Sequence, residues 1–320
     1  MKKFIIIILF FAGIVKLLDL ALYHAIDFFY SRTYSGQSGG DINKYLHDTN
    51  RPELVIMGSS TTRFQVCPDS FPIKSCNLAR AMTEDTYQLG LLLLMIKKGC
   101  APKNVLLSVW PNNYIVKNGS EKQPEDILFL KYYYYDVPFI KKEIDKISYF
   151  EKFKYIFALN RFNGNVTDIL KYYYITKRND NNSYFFQYQA STPLDSVNIM
   201  SIGKIRKNKL YTEALPLSGV HTKYLPAIID TCKKYGINLM CYYMPMLRTD
   251  SVKIRNGLDF IRKTTNDKNI PYLEISPQTS PDLFTNISYW TDELHANEKG
   301  GKIQSAILAG FVKQHLKINQ

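Results

Sequence analysis

The stretch Val55-Ile56-Met57-Gly58-Ser59-Ser60-Thr61-Thr62-Arg63 sets a pair of serines directly behind an apolar run and a glycine. A hydroxyl there lies at the carboxyl end of a buried strand, where open α/β folds place their ligands, and backbone N–H groups of the next segment can hold an oxyanion beside it. Gly-Ser-Ser behind a strand is equally an ordinary turn. The stretch Thr291-Asp292-Glu293-Leu294-His295-Ala296-Asn297, near the other end of the chain, supplies what a reactive serine needs. An imidazole takes the hydroxyl proton, and a carboxylate fixes the imidazole tautomer and balances its charge. Asp292 and His295 can do both from one loop; the plainer reading is a solvated loop whose Asn297 caps the last helix. Of the other histidines, His24 lies in the apolar N-terminus, and His47, His221 and His315 stand in no comparable motif. The candidate constellation is therefore Ser60 as nucleophile, His295 as base and Asp292 as the acid that orients it.

Positioning these residues requires a framework of strands and helices, and the apolar pattern supplies one. Glu53–Met57, Asn104–Val109, Ile237–Tyr243 and Tyr272–Ile275 are short apolar runs with the character of buried strands. Between them, helices are expected from Thr83 to Lys98, stopped by Gly99 and Pro102, from Thr222 to Tyr235, stopped by Gly236, and from Asp250 to Thr265. A last helix is expected over Asn297–Leu316. Strands alternating with helices predict an α/β fold with a parallel sheet covered on both faces. Residues from about 117 to 215 break the alternation and carry the tyrosine runs Tyr132–Tyr135 and Tyr172–Tyr174. Such an insertion is either a cap that stacks rings on sugars or a helical subdomain that packs its tyrosines on the core or near a membrane.

A chain of 320 residues, 46% hydrophobic and 22% charged, has the composition of a globular protein with one main domain and is not disordered. Its formal charge of +13 favours anionic surfaces, but the basic residues are spread evenly and no zinc-finger spacing occurs, which argues against sequence-specific nucleic-acid binding. The five cysteines form no CxxC pair, so a structural zinc is not expected; Cys67 and Cys76 either bridge or are free thiols.

Behind Lys2 and Lys3, the run from Phe4 to Tyr23 is long enough to cross a bilayer core of about 30 Å if Lys16 snorkels or sits near the far interface. Ala21-Leu22-Tyr23 is a poor cleavage site, so an uncleaved anchor is preferred over a cleaved signal peptide. The two leading lysines keep the short end in the cytoplasm and export the remainder. The expected organisation is an anchor over 1–30, a Ser/Gly-rich linker over 31–50 and a catalytic domain over 51–320.

With Gly58-Ser59-Ser60 at one end and Asp292-x-x-His295 at the other, the sequence resembles the SGNH/GDSL hydrolases, whose first block ends in Gly-Asp-Ser and whose last is Asp-x-x-His. Ser59 stands where the family has aspartate. Asn77-Leu78-Ala79-Arg80 is similar to the family's Asn-x-Gly block, and Trp110-Pro111-Asn112-Asn113 to its Gly-x-Asn-Asp block. The resemblance implies a three-layer, flavodoxin-like parallel sheet and an oxyanion hole built from the Ser60 and Ala79 N–H groups and the Asn112 amide, with Asn113 an alternative donor. It implies a serine esterase or acyltransferase that needs neither cofactor nor metal. An anchored Gly-Ser-Ser variant is similar to exported proteins that modify envelope polymers. Its expected partners are an acyl donor, a glycan acceptor and a membrane-bound O-acyltransferase. The replacements at Ser59, Ala79 and Trp110 also admit an inactive glycan-binding or scaffold protein with the same fold, and charge alone admits a binder of nucleic acid or lipid surfaces.

Overall fold

The computed structural model describes residues 2–34, 36, 39–116, 121–178, 213–244, 246–247 and 251–316. The chain divides into two compact units, Met1–Thr49 with Ile127–Phe185, and Asn50–Asp126 with Phe186–Gln320. In chain order the principal helices are α1 (Lys2–Tyr30), α2 (Gly40–His47), α3 (Ser60–Gln65), α4 (Asp85–Lys97), α5 (Pro138–Ile147), α6 (Glu151–Lys154), α7 (Val166–Arg178), α8 (Tyr224–Lys234), α9 (Ser251–Asp267), α10 (Pro281–Thr285) and α11 (Glu298–His315). The strands are β1 (Leu54–Met57), β2 (Ser75–Asn77), β3 (Asn104–Ser108), β4 (Asn238–Tyr243) and β5 (Tyr272–Glu274).

The second unit is α/β. Its five strands form one all-parallel sheet in the order β2-β1-β3-β4-β5. Leu54, Ile56, Leu106, Met240 and Tyr242 belong to one buried cluster with Trp290, Leu308, Phe311 and Val312. The alternate residues Val55, Met57, Val105, Leu107, Leu239 and Cys241 are just as buried and, by the two-residue period of a strand, point to the other face. Both faces are therefore covered, and for that reason the strands are apolar throughout instead of alternating. The four apolar runs form strands within a residue or two of their expected limits. The edge strand β2 has only three residues and no apolar run of its own; it is held by its register, Leu54 beside Ser75 and Ile56 beside Asn77. In the order 2-1-3-4-5 the chain turns one way from β1 to β2 and the other way from β3 onward, which opens a crevice at the carboxyl ends of β1 and β3.

The first unit combines α1 with α2 and much of the tyrosine-rich stretch. The second half of the stretch 31–50, expected as a linker, is helix α2, with Ile42, Asn43 and Tyr45 buried. Gly39 enters this helix at φ 108, and a side chain there would run into the Tyr30 ring, with the Tyr30 hydroxyl 2.5 Å from the added carbon. Asn43 Nδ2 donates to the Tyr30 carbonyl at 2.7 Å, and the Tyr133 hydroxyl donates to Asn43 Oδ1 at 2.8 Å. Tyr30 stacks on Tyr132 at 4.5 Å between ring centres, and Tyr23 stacks on Phe162 at 5.4 Å. Of the two tyrosine runs, Tyr132, Tyr133 and Tyr134 are buried inside the unit, whereas Tyr135 and Tyr174 are exposed. Residues 179–212 of that stretch lie outside the described residues. Among the described residues, one helix, Lys2–Tyr30, is long and apolar enough to cross a membrane. All five cysteines are free thiols, so Cys67 and Cys76 do not bridge.

Candidate active site

The site begins at Gly58, the residue that turns the chain out of β1. Its φ of +156 and its surroundings require glycine, because an added Cβ would lie 2.3 Å from Thr62 Oγ1 and 2.7 Å from Ser108 Cβ. The Gly58 carbonyl accepts from the Arg80 N–H at 3.0 Å, from Gln88 Nε2 at 3.0 Å and from the Thr83 hydroxyl at 3.2 Å. With the turn held in this way, Ser59 stands at the N-cap position of α3 in extended conformation, without a side-chain capping hydrogen bond, and Ser60 becomes the first residue of the helix. Thr61 and Thr62 are poor helix formers, and α3 is only six residues long, so tertiary contacts hold it. The Thr62 hydroxyl hydrogen-bonds the Tyr242 hydroxyl at 2.8 Å. Asn77 Nδ2 donates to the carbonyls of Thr62 and Val66 at 2.9 and 2.8 Å.

The second element is the loop that follows Trp290. Trp290 is fully buried, its indole N–H donates to the Leu283 carbonyl at 2.8 Å, and it pairs with Ala296 as an antiparallel bridge. At the far end Asn297 caps α11, its Oδ1 accepting from the Lys299 and Gly300 N–H groups at 3.0 and 3.3 Å. The loop between them is thereby fixed at both ends. Inside it, Asp292 Oδ1 accepts the backbone N–H groups of Leu294 and His295, each at 2.7 Å.

These two elements bring Ser60, His295 and Asp292 together. His295 Nε2 lies 3.0 Å from Ser60 Oγ, and His295 Nδ1 lies 2.9 Å from Asp292 Oδ2 and 3.1 Å from Oδ1. Burial pushes the Asp292 carboxyl upward, but the hydrogen bonds from the imidazole and the two backbone amides outweigh it and hold the group below the usual carboxylate range. An ionised Asp292 fixes the proton on Nδ1, which leaves Nε2 with a lone pair facing the Ser60 hydroxyl. Gln65 Nε2 donates to the Leu294 carbonyl at 3.1 Å, so the serine helix and the histidine loop are tied directly. The Ser305 hydroxyl closes the tie from α11, lying 3.1 Å from the Gln65 carbonyl and 2.9 Å from the Cys67 N–H.

The three expected oxyanion donors stand differently. The Ser60 N–H opens α3 and has no partner within the helix. The Ala79 N–H is engaged, donating to Asn77 Oδ1 at 3.0 Å. Asn112 lies in the short turn Pro111–Asn113 after β3, and among the described residues no hydrogen bond joins it to Ser60 or His295. Asn112 and Asn113 instead line a cavity of about 580 Å³ with Glu84, Glu121, Asp126 and His221; none of Ser60, Asp292 and His295 lines it.

That cavity contains a second histidine–carboxylate pair, which sequence spacing does not reveal. His221 Nδ1 lies 3.1 Å from Glu84 Oε2, and Nε2 lies 3.2 Å from the Lys122 carbonyl. Burial lowers the His221 pKa, but the Glu84 carboxylate and the Lys122 carbonyl outweigh it, and the net direction is upward. With an acceptor at each ring nitrogen, the charged form of this imidazole is stabilised relative to a free one. Sequence spacing likewise gives no sign of the holding contacts made by Gln65, Ser305 and Tyr242, whose partners are distant in the chain. Among the described residues, no group of three or more His, Cys, Asp or Glu side chains is arranged to hold a metal ion.

Comparison with protein-family models finds no match to this chain, and a search of curated proteins finds none.

Proposed function

We propose that this protein is an exported, membrane-anchored serine acyltransferase or esterase of the SGNH/GDSL type. It acts on O-acyl groups, O-acetyl foremost, of cell-envelope or extracellular polysaccharide. The observation that carries the reading is the unbroken relay from Ser60 Oγ through His295 to Asp292, with links of 3.0 and 2.9 Å. These lie within the reach a nucleophile, base and orienting acid require. The position of Ser60 at the switch point of a 2-1-3-4-5 parallel sheet supports it further.

In this reading His295 takes the Ser60 proton as Oγ attacks the acyl carbonyl. The Oγ–carbon bond forms, the ester C–O bond breaks, and the departing alkoxide takes the proton back from His295. A sugar hydroxyl or water then gives its proton to His295 as its oxygen bonds the acyl carbon, the Oγ–acyl bond breaks, and Ser60 Oγ takes the proton back from His295. Oxyanion support falls first to the Ser60 N–H, with Asn112 aligning on substrate binding; Ala79 contributes only if its N–H leaves Asn77 Oδ1. Lys2 and Lys3 before the apolar helix support an orientation with the short end in the cytoplasm. A membrane-bound O-acyltransferase is the proposed source of the acyl group.

A second reading, an inactive glycan-binding protein, draws on the cavity at Asn112, which the relay residues do not line. Treatment of the membrane-reconstituted chain with a fluorophosphonate separates the two. Covalent labelling of the wild type, lost in Ser60→Ala, is the expected result. A wild type that neither labels nor hydrolyses acetyl esters, yet binds acetylated glycan, would establish the second reading instead.

A further inference from the structure

Lys16 stands in the middle of the apolar helix α1, and its amine does not reach along the helix toward water. It donates to Asp19 Oδ2 at 2.8 Å and to the Ile156 carbonyl at 2.5 Å. Asp19 in turn accepts the backbone N–H groups of Ala158 and Leu159, each at 2.9 Å. The two charges thus cancel in a node that joins α1 to the 156–159 turn of the same unit, the form in which ionisable groups are tolerated at membrane depth.

The height of this node follows from helix geometry. A span confined to Phe4–Val15 would cover only about 18 Å at 1.5 Å per residue, short of a hydrocarbon core of about 30 Å. Around the node α1 stays apolar and exposed, through Leu17 and Leu18 on the side turned away from it and through Leu20 and Leu22 next to it, with Leu17 69% exposed. Phe4 to Leu22 covers about 28 Å, which matches the core and sets Lys16 about 9 Å inside its far boundary. Whatever packs on α1 at Lys16 enters the bilayer with it.

The segment that packs there is Tyr149-Phe150-Glu151-Lys152-Phe153-Lys154-Tyr155-Ile156-Phe157, which contains α6. Its Tyr149, Phe150, Phe153, Ile156 and Phe157 side chains are exposed, Phe150 by 71%. In water such a cluster is costly, whereas at a membrane boundary interleaved aromatic and lysine side chains are the favoured composition. Lys152 lies over the rings of Tyr149 and Phe153 at 4.6 and 5.1 Å, and Lys154 pairs with Glu151 at 2.6 Å. These amines are long enough to meet lipid phosphates above the rings.

We infer that Tyr149–Phe157 is a second membrane-contacting element, immersed beside α1 in the leaflet farther from Lys2 and Lys3, with phospholipid as its occupant. The inference rests on the reading of α1 as a membrane span, and its test separates the two. In a Cys67→Ser background the remaining thiols are buried, so Leu9→Cys, Phe150→Cys and Phe153→Cys can each be labelled singly with NBD in the full chain. The labelled proteins are reconstituted in phosphatidylcholine–phosphatidylglycerol vesicles carrying nitroxide lipids. Loss of emission at Leu9 with mid-chain nitroxides, and at Phe150 and Phe153 with nitroxides near the headgroup, is the expected result. Loss at Leu9 with none at Phe150 and Phe153 overturns the inference and leaves the span intact; blue-shifted emission in that case identifies a protein partner on the patch, and red-shifted emission open water. No loss at any position overturns the span and the inference together.

Discussion

Replacing Asp292 by asparagine tests the relay through the geometry of one side chain. Asp292 Oδ1 accepts the N–H groups of Leu294 and His295 at 2.7 Å each, and an asparagine must keep its amide oxygen in that place, because its NH2 group would face two donors. The NH2 group is then forced to the Oδ2 position, 2.9 Å from His295 Nδ1. As a donor at the shorter of the two Nδ1 contacts it opposes a proton there, and the retained oxygen at 3.1 Å already accepts two backbone N–H groups, so the imidazole proton is favoured on Nε2 and the base becomes a donor toward Ser60. The backbone of the loop keeps its hydrogen bonds, so the change falls on the tautomer and not on the fold. Locking the wrong tautomer in a serine relay costs about 10⁴-fold, equivalent to roughly 5 kcal/mol of transition-state stabilisation. The second-order rate of fluorophosphonate labelling at neutral pH, in protein whose circular dichroism matches wild type, reads this directly. An Asp292→Asn rate within tenfold of wild type would refute the tautomer argument and, with it, the role of Asp292 in orienting His295.

Three further outcomes follow from contacts around the relay. Gly58→Ala introduces a Cβ into Thr62 and Ser108 at a φ of +156 and is expected to destabilise the fold by roughly 2–4 kcal/mol and to abolish labelling at Ser60; a denaturant midpoint equal to wild type would show that the turn is not constrained. Asn77→Ala removes the amide that holds the Thr62 and Val66 carbonyls and frees the Ala79 N–H, with an expected loss of about 2–3 kcal/mol and slower labelling, both measurable by chemical denaturation and probe kinetics. Burial raises the Asp85 carboxyl to about 7 against the opposing Tyr114 hydrogen bond, and raises Asp126 to about 6 against the Tyr87 and Glu84 amides. The folded state therefore binds these protons more tightly than the unfolded chain. Their contribution is fully present below about pH 4 and is lost as pH rises through 6 and 7, at up to about 1.4 kcal/mol per pH unit for each group. Unfolding midpoints from pH 5 to 8 should fall less steeply for Asp85→Asn than for wild type, and parallel curves would exclude Asp85 as a source of the slope.

The sequence made the sheet legible where strands are buried on both faces and consequently apolar throughout, as in β1, β3 and β4. It concealed β2, because three residues on a sheet edge need no apolar run and are held by pairing with β1. It concealed α2 behind Ser35-Gly36-Gln37-Ser38-Gly39-Gly40, whose composition signals a linker although Gly39 is there to enter a helix beside Tyr30. The relay was easier to read than its surroundings for a related reason. Asp292 and His295 are close in sequence, so their pairing is a local property of one loop. The Ala79 N–H depends on where the Asn77 side chain points, and the pairing of His221 with Glu84 joins segments far apart in the chain.

The same distinction separates what is rigid in the site from what substrate must complete. The distance from Ser60 to His295 is set by a chain of hydrogen bonds running from the Leu294 carbonyl through Gln65 to Ser305 on α11, together with the capped ends of the loop and the clamped turn at Gly58. None of these contacts involves a group that reacts, so the relay is assembled before any ligand arrives. Of the proposed oxyanion donors, only the Ser60 N–H shares this scaffold. Ala79 is drawn to Asn77, and Asn112 is presented to a neighbouring cavity, so stabilisation of the developing charge depends on rearrangement when the acyl group binds. On the proposed reading, a site built this way holds its nucleophile ready while delaying the step that needs the oxyanion until the correct ester is in place. The same reading makes that division suited to the proposed transfer, in which the acyl group must reach a sugar hydroxyl in competition with abundant water.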